Sequence, residues 1–597
     1  VTKASAKFNE TEAAPSAGRL VTPRQLLIGL ALLALLVIPY HRVLDASFVA
    51  YDDDVHVYAN PHLNPLSLAS IGELWRHAYK GLYIPLAYTI LGGIAAFARE
   101  APQAPVGLGE VVTLSPGAFH LASIGFHVLN TWLAAGLVLR LTRSREAALL
   151  AAVVFALHPL QVESVAWISE LRGLSSACFA LAALNLFVFS RQIEPTSPSR
   201  ARGALVAATT CVVGAMLCKP AAVALPLVAI AIDRVALGTS WRRSLTMALT
   251  WVACVLPFAL VTRSVQTLHP EGASLFWQRP FVAGDALCFY LWKLVVPLDL
   301  AVEYGRTPRS VLSHAWSYAA WIVPAGLLAL CYRYRRQRPL TWLGALLFVA
   351  FLAPALGLVP FAFQAHSTVA DRYAYLALLG FGLIVGDVFG VALPKLGVRL
   401  SGGLTIVLAL LSSQQTRYWD DNIEFLRHAL DVNPNLAFAH NNLGSVDLKQ
   451  DRPGDAVVHF EKALELEPNS PKTQNNLGLA FVALGRLEEA EPHYRKAVEL
   501  DPHYFKAYEN LGAVYLRTHH FDAAIDALKA AIQVQPEAKA LNDLGVACMQ
   551  SSRFDDGLAA FRRAVELEPN NPQYRRNLGY ALQQAGRSEE AAAYLAQ

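Results

Sequence analysis

Residues 436–468 read LAFAHNNLGSVDLKQDRPGDAVVHFEKALELEP, and the pattern returns through the rest of the 597-residue chain. Leu-Gly pairs stand at 443/444, 477/478, 511/512, 544/545 and 578/579, and prolines at 434, 468, 502, 536 and 569, so both markers recur every 33 to 34 residues. Ala456, Phe460 and Ala463 follow the first Leu-Gly pair at the spacing of a two-helix unit, in which small residues let the helices approach and the proline ends the second helix. An α-solenoid is therefore expected over 436–597, with four full repeats to Asn571 and a fifth truncated at Gln597. A helix over 418–432, within a coupling segment 417–435, is expected to join it to whatever precedes it without a flexible linker.

What precedes it has a different composition. The chain as a whole is 54% hydrophobic and 16% charged, with a mean hydropathy of +0.34, well short of the quarter of charged residues usual in soluble domains. From Arg417 onward there are 19 basic and 26 acidic side chains, so the basic excess behind the net charge of +4 lies in the first 416 residues. A purely soluble chain is excluded, and no nucleic-acid partner is indicated. Seven cysteines show no paired spacing of the kind a disulfide framework or zinc site needs.

Apolar runs of roughly spanning length fall near 25–40, 117–139, 147–160, 168–190, 203–218, 220–236, 245–262, 314–332, 338–358, 373–392 and 399–416. They predict an all-α, polytopic membrane domain of about 11 helices over 25–416, after a cytoplasmic tail 1–24. The run 285–300 carries Lys293 in its middle and reads as interfacial or re-entrant. With it excluded, Arg140/Arg143/Arg145, Arg191/Arg200/Arg202, Arg234/Arg242/Arg243, the arginines of 333–338 and Lys395/Arg399 all fall on the cytoplasmic side, as the positive-inside rule asks. The solenoid is then extracytoplasmic.

The same face collects the unusual residues. They are the loop 41–116 with Asp52, Asp53 and Asp54, the turn from His158 to Glu163, Lys219, the segment from Lys293 to Tyr304, and Asp371-Arg372. Each has a plain structural explanation. The aspartates fit a solvated loop or helix cap, Lys219 and Arg372 fit helix ends reaching for headgroups, and His158-Pro159 fits a helix stop. Their convergence on one membrane face points instead to a polar site, because ionisable groups at membrane depth are costly unless paired or lining a wet cavity.

The solenoid's period is that of the tetratricopeptide repeat. Asn442, Asn476, Asn510, Asp543 and Asn577 precede successive Leu-Gly pairs. A stacked row of side-chain amides can hold a peptide backbone without reading its sequence; the alternative is that the row satisfies local backbone. A similar asparagine ladder is found in the repeats of the nucleocytoplasmic O-GlcNAc transferase.

Nearly the full length resembles the transmembrane-and-tetratricopeptide-repeat O-mannosyltransferases and their bacterial relatives, of the GT-C glycosyltransferase type. The resemblance is carried by Phe48-Val49-Ala50-Tyr51-Asp52-Asp53 with Asn60-Pro61, by His158-Pro159-Leu160-Gln161-Val162-Glu163-Ser164-Val165-Ala166-Trp167, by Cys218-Lys219-Pro220, by Tyr290-Leu291-Trp292-Lys293, and by Ala370-Asp371-Arg372-Tyr373-Ala374-Tyr375. Where relatives have a basic-acidic pair after the second motif, this chain has Arg172-Gly173, and the acid is missing.

The resemblance implies inverting transfer of a sugar, most often mannose, from a polyprenyl or dolichyl phosphate to Ser or Thr hydroxyls of proteins recruited by the repeats. Asp53 is expected to be the general base with Asp52 next, Arg372, Lys219 and Lys293 to hold the donor phosphate, and Asp54, His158, Glu163, Arg172, Asp371 and Tyr375 to line the pocket. It also implies metal independence, although three aspartates in a row suit Mg²⁺ or Mn²⁺. Abundant Ala and Arg favour a bacterial inner membrane with periplasmic repeats; a eukaryotic source would place them in the ER lumen. The rival readings are a non-catalytic membrane-anchored scaffold, a transporter, and a ligase for lipid-linked glycans.

Overall fold

The structure, a computed structural model, describes residues 37–595 apart from 50, 65, 100–112 and 267–274. The tail 1–24 and most of the first apolar run lie outside the described residues. Among the described residues there is no strand, only three isolated bridges.

Six helices are long and apolar enough to cross a membrane: Pro116–Thr142, Ile168–Ile193, Pro198–Cys218, Trp241–Val265, Ala315–Arg333 and Pro394–Trp419. Three of them open on proline, whose missing N–H costs nothing in a first turn. The pair Arg145–Leu157 and Pro159–Ala166 is together long and apolar enough for a broken span or a re-entrant loop, bent by 55° where Pro159 breaks the hydrogen-bond ladder. This is a multi-pass membrane protein.

The remaining expected spans are helical but shorter. Pro339–Ala355 and Ala377–Ala392 are apolar helices below full spanning length, and 220–236 is divided into Pro220–Ala224, Leu225–Ala231 and Ile232–Ala236, with Pro220 and Pro226 interrupting regular pairing. Residues 285–295 of the run 285–300 lie in a 17-residue helix, Arg279–Val295, and 296–300 follow it outside any helix. Close helix contacts use small residues: a Cβ added at Gly344 would stand 2.6 Å from the Gly380 carbonyl oxygen.

The segment 41–116, read from sequence as a long loop, holds structure of its own. It contains Leu68–Arg76 and Pro85–Phe97, which bury Leu74, Tyr88 and Leu91 in a second apolar core with Phe119. Thirteen residues are too few to register as a span, so the pattern alone did not separate Pro85–Phe97 from loop.

Five antiparallel helix pairs form the solenoid, from Ala437–Lys449 with Pro453–Leu466 to Pro572–Gln584 with Ser588–Leu595. The glycine of each Leu-Gly pair receives a side chain of the second helix. A Cβ at Gly478 would lie 2.7 Å from the Tyr494 ring, and one at Gly545 would lie 2.6 Å from Phe561. Before the first pair, Asp421 caps the helix Asn422–Val432 by accepting from the N–H groups of Ile423 and Glu424. One continuous hydrophobic cluster runs from the membrane domain through Trp419, Phe425, Leu426 and Leu436 to Leu443. The first helix of the first repeat is thus part of the membrane domain's own core.

Candidate functional site

The five segments meet at one end of the helical domain. Asp52 has φ +71°, a left-handed conformation in which aspartate is enriched, and adjoining carboxylates leave this turn in different directions. Asp53 turns inward. Its Oδ1 accepts from the backbone N–H and hydroxyl of Ser169 at 2.9 and 2.6 Å, and its Oδ2 from the N–H of Val49 at 3.1 Å. Burial pushes this carboxyl up to about 7, against the pull of those donors. Asp52 turns outward, with 43% of its side chain exposed and Oδ2 3.7 Å from Arg172 Nη2. Asp54 opens the short turn Asp54–Tyr58.

A chain of charges continues from Arg172. Its Nε donates to Glu170 Oε1 at 3.3 Å, and Glu170 Oε2 accepts from Lys219 Nζ at 2.6 Å. Glu170 is buried, while Arg172 and Lys219 keep 14% and 20% of their side chains exposed. A Cβ at Gly173 would press on Glu170 Oε2 and lie 3.1 Å from Lys219 Nζ. A carboxylate thus stands beside Arg172 at position 170, and the glycine at 173 makes room for its ion pair with Lys219. Glu170 was missed because the acid was sought after Arg172 rather than two residues before it.

Arg372 stands beside this chain. Its Nη1 donates to Glu163 Oε1 at 2.5 Å and its backbone N–H to Oε2 at 2.9 Å. The guanidinium lies over Phe363 and Trp167, 4.3 and 5.2 Å from the ring centres. The Trp167 indole is also 5.8 Å from the Arg172 guanidinium and donates from Nε1 to the Tyr51 carbonyl at 2.9 Å. One tryptophan thus ties both arginines to the aspartate turn.

Other expected site residues serve the frame. Lys293 donates to the carbonyls of Leu298 and Asp299, holding the loop after its helix instead of presenting a free ammonium. His158 accepts from the Leu160 N–H at 3.3 Å and bonds the Leu294 carbonyl at 3.2 Å. Tyr375 accepts from Asn130 at 3.1 Å and pairs with His127 at 2.9 Å within the core. Asp371 accepts from the Tyr304 hydroxyl at 2.8 Å. Glu303, also unanticipated, lies 3.9 Å from His366, and burial raises its carboxyl. Asp52, Asp53 and Asp54 do not converge, and among the described residues no group of three or more His, Cys, Asp or Glu is placed to hold a metal ion.

The solenoid docks on the same loops. The Tyr51 ring lies 5.2 Å from Trp167 and 4.7 Å from Phe438 of the first repeat, and His428 bonds the Leu300 carbonyl at 2.8 Å. The asparagine row is engaged between repeats: Asn476 donates to Asn441 at 3.0 Å, Asn510 to Asn475 at 2.8 Å and Asn577 to Asn542 at 2.8 Å. Asp543 accepts from Asn542 at 3.3 Å.

The fold and this site define a polytopic helical membrane protein with a tetratricopeptide solenoid seated on its polar face. Family models described as tetratricopeptide repeat match residues 437–470, 459–491, 510–556 and 549–597, and one described as TPR repeat matches 478–518. Along most of its length the chain resembles the O-mannosyltransferases that carry such repeats. Protein O-mannosyl-transferase F38B6.6 of Caenorhabditis elegans is 24% identical to it over 450 residues, covering 72% of this chain and 61% of the relative. The chain thus spans about three fifths of the length of that curated relative. Among solved structures, MamA from Desulfovibrio magneticus is 26% identical with a TM-score of 0.26, covering 27% of this chain and 91% of its own. YrrB, described as a TPR protein with an unusual peptide-binding site, is 20% identical with a TM-score of 0.27, covering 29% and 90%.

Proposed function

We propose that the chain is an integral-membrane protein O-glycosyltransferase that moves a sugar, mannose first among candidates, from a polyprenyl or dolichyl phosphate to Ser or Thr hydroxyls. The observation that carries this reading is the outward carboxylate of Asp52 beside Arg172, which Glu170 links to Lys219. A hydroxyl is a poor nucleophile and needs a carboxylate to take its proton, and a departing lipid phosphate needs cations to receive its charge.

In this reading Asp52 takes the acceptor proton as the hydroxyl oxygen bonds to the anomeric carbon. The carbon–oxygen bond to phosphate breaks with its electron pair on the phosphate, and direct displacement inverts the anomeric centre. Arg172 and Lys219 receive the phosphate. Arg372, held by Glu163, supplies field and shape from behind Trp167, and Asp53 fixes the turn that aims Asp52. Glu170 keeps both cations in place. The site and the repeats face the extracytoplasmic side, and the repeats bring acceptor chains to it.

The test is transfer of label from polyprenyl-phosphate mannose to peptide acceptors by the purified full chain, beside Lys219→Gln at matched folding. Transfer by the wild type that falls in the variant is the expected result. Absence of transfer from this and other lipid-phosphate sugars by a folded protein would leave the repeats as a membrane-anchored scaffold.

A further inference from the structure

The opposite end of the helical domain holds a second polar cleft that the proposed reaction does not use. Arg172 and Arg191 are near the two ends of the same helix, Leu171–Ile193, and at 1.5 Å per residue they are separated by about 28 Å, close to the thickness of a bilayer's hydrocarbon core. A cleft of about 380 Å³ opens beside Arg191 between that helix, Pro198–Cys218 and Trp241–Val265, with Arg242, Arg243, Thr246 and Thr250 along its wall.

The charge there is unbalanced. Arg191 pairs with Asp233 at 2.9 Å, and Arg243 with Glu194. Arg234 lies over the Trp241 ring, 4.6 Å from its centre, and among the described residues Arg242 has no ion-pair partner. Three arginines therefore line the cleft, and only two of them are matched by a carboxylate. From Arg242 the cleft runs eight residues inward to Thr250, about 12 Å along the helix axis, past Leu205 and the buried Met247. Beside it Val206, Leu245 and Leu249 are 68%, 46% and 66% exposed, on helices that the bilayer would surround.

We infer that this cleft binds the phosphate headgroup of an acidic phospholipid from the leaflet opposite the Asp52 site. Arginines suit phosphate oxygens, and juxtamembrane basic pockets between helices suit anionic headgroups. A free phosphate would share the arginines but would leave the apolar run unused. The lipid reading uses both parts of the cleft.

The test is retention of phosphatidylglycerol by the purified full chain in native mass spectrometry, with phosphatidylcholine as the neutral comparison. Arg242→Glu is the probe, since this exposed side chain supports no internal ion pair, and Lys395→Glu is a charge-matched control on another basic connection. Phosphatidylglycerol retention is expected to drop on the order of fivefold or more in Arg242→Glu and to hold in Lys395→Glu, with inorganic phosphate failing to displace the lipid. Equal retention in both variants would overturn the site. Displacement of the lipid by inorganic phosphate would overturn the lipid assignment in favour of a soluble anion.

Discussion

The repeat array and the polar face of the membrane domain are made of the same element and hold together at different ranges. In the solenoid the amide bonds between repeats join residues 35 apart, and the pairing returns at three of the four repeat junctions, Glu509 and Asp543 replacing the amides at the other. At the polar face Asp53 meets Ser169 across 116 residues, and Arg372 meets Glu163 across 209. Stability in the array should therefore be lost one unit at a time, as expected of a quasi-linear stack. Damage to the polar face should spread through the helical domain and its docked first repeat.

The largest effect expected on this comparison is from Arg372→Ala. It leaves Glu163 buried without its partner, a loss of about 3–5 kcal/mol, and should lower the thermal midpoint of the whole membrane domain. Arg372→Lys should recover part of that loss, since an ammonium keeps the charge and lacks the planar fork. Coincident melting of the domain and the first repeat would confirm the shared core; independent melting would break the comparison.

Gly545→Val should come next, at about 1–3 kcal/mol of overpacking against Phe561. Limited proteolysis should show the loosened region confined to the fourth and fifth repeats, while Tyr51 and Phe438 stay protected. Loss of protection at Tyr51 would mean that the array is more cooperative than nearest-neighbour coupling allows.

Asp53 supplies a prediction in pH. Its folded carboxyl holds a proton up to about 7, whereas the ordinary value is 3.8. Between those values the folded state binds more proton than the unfolded one, so this group's contribution to stability falls as pH rises from about 4 to 7. Asp53→Asn should flatten that part of the profile in thermal scans. A profile that keeps its slope in the variant would move the effect to another buried acid, Glu303 or Asp371.

The smallest effect should be Asn476→Ala, about 1 kcal/mol for one inter-repeat hydrogen bond. Because its amide donates to Asn441, peptide binding to the solenoid should change little, measured by titration calorimetry. A large loss of peptide affinity at unchanged stability would restore the asparagine row as the binding surface.

This contrast also explains what the sequence disclosed. The repeats were readable to within a residue or two, because a helix pair's contacts recur every 33 to 34 residues and Gly478 and Gly545 mark where side chains must enter. Apolar runs located the helices of the membrane domain, and the polar segments set apart in the sequence meet at one end of it. Individual roles at the site were less visible. Asp52 and Asp53 are chemically identical neighbours, separated only by a left-handed turn that composition does not reveal. Glu170 was hidden because the room for it is made by a glycine three residues later. Lys293 reads as a free cation in sequence, because the loop carbonyls of Leu298 and Asp299 reach its ammonium only in the folded chain.

The two aspartates give the most direct test of the central claim, that one works on the substrate and the other holds the turn. The measurement is the rate of sugar transfer by Asp52→Asn and Asp53→Asn, taken with each variant's thermal midpoint. The account predicts that Asp52→Asn loses transfer by at least about 10²-fold, the lower end for removal of a general base, with its midpoint unchanged. Asp53→Asn should lose transfer and midpoint together. Wild-type transfer in Asp52→Asn, or lost transfer in Asp53→Asn at an unchanged midpoint, would contradict it.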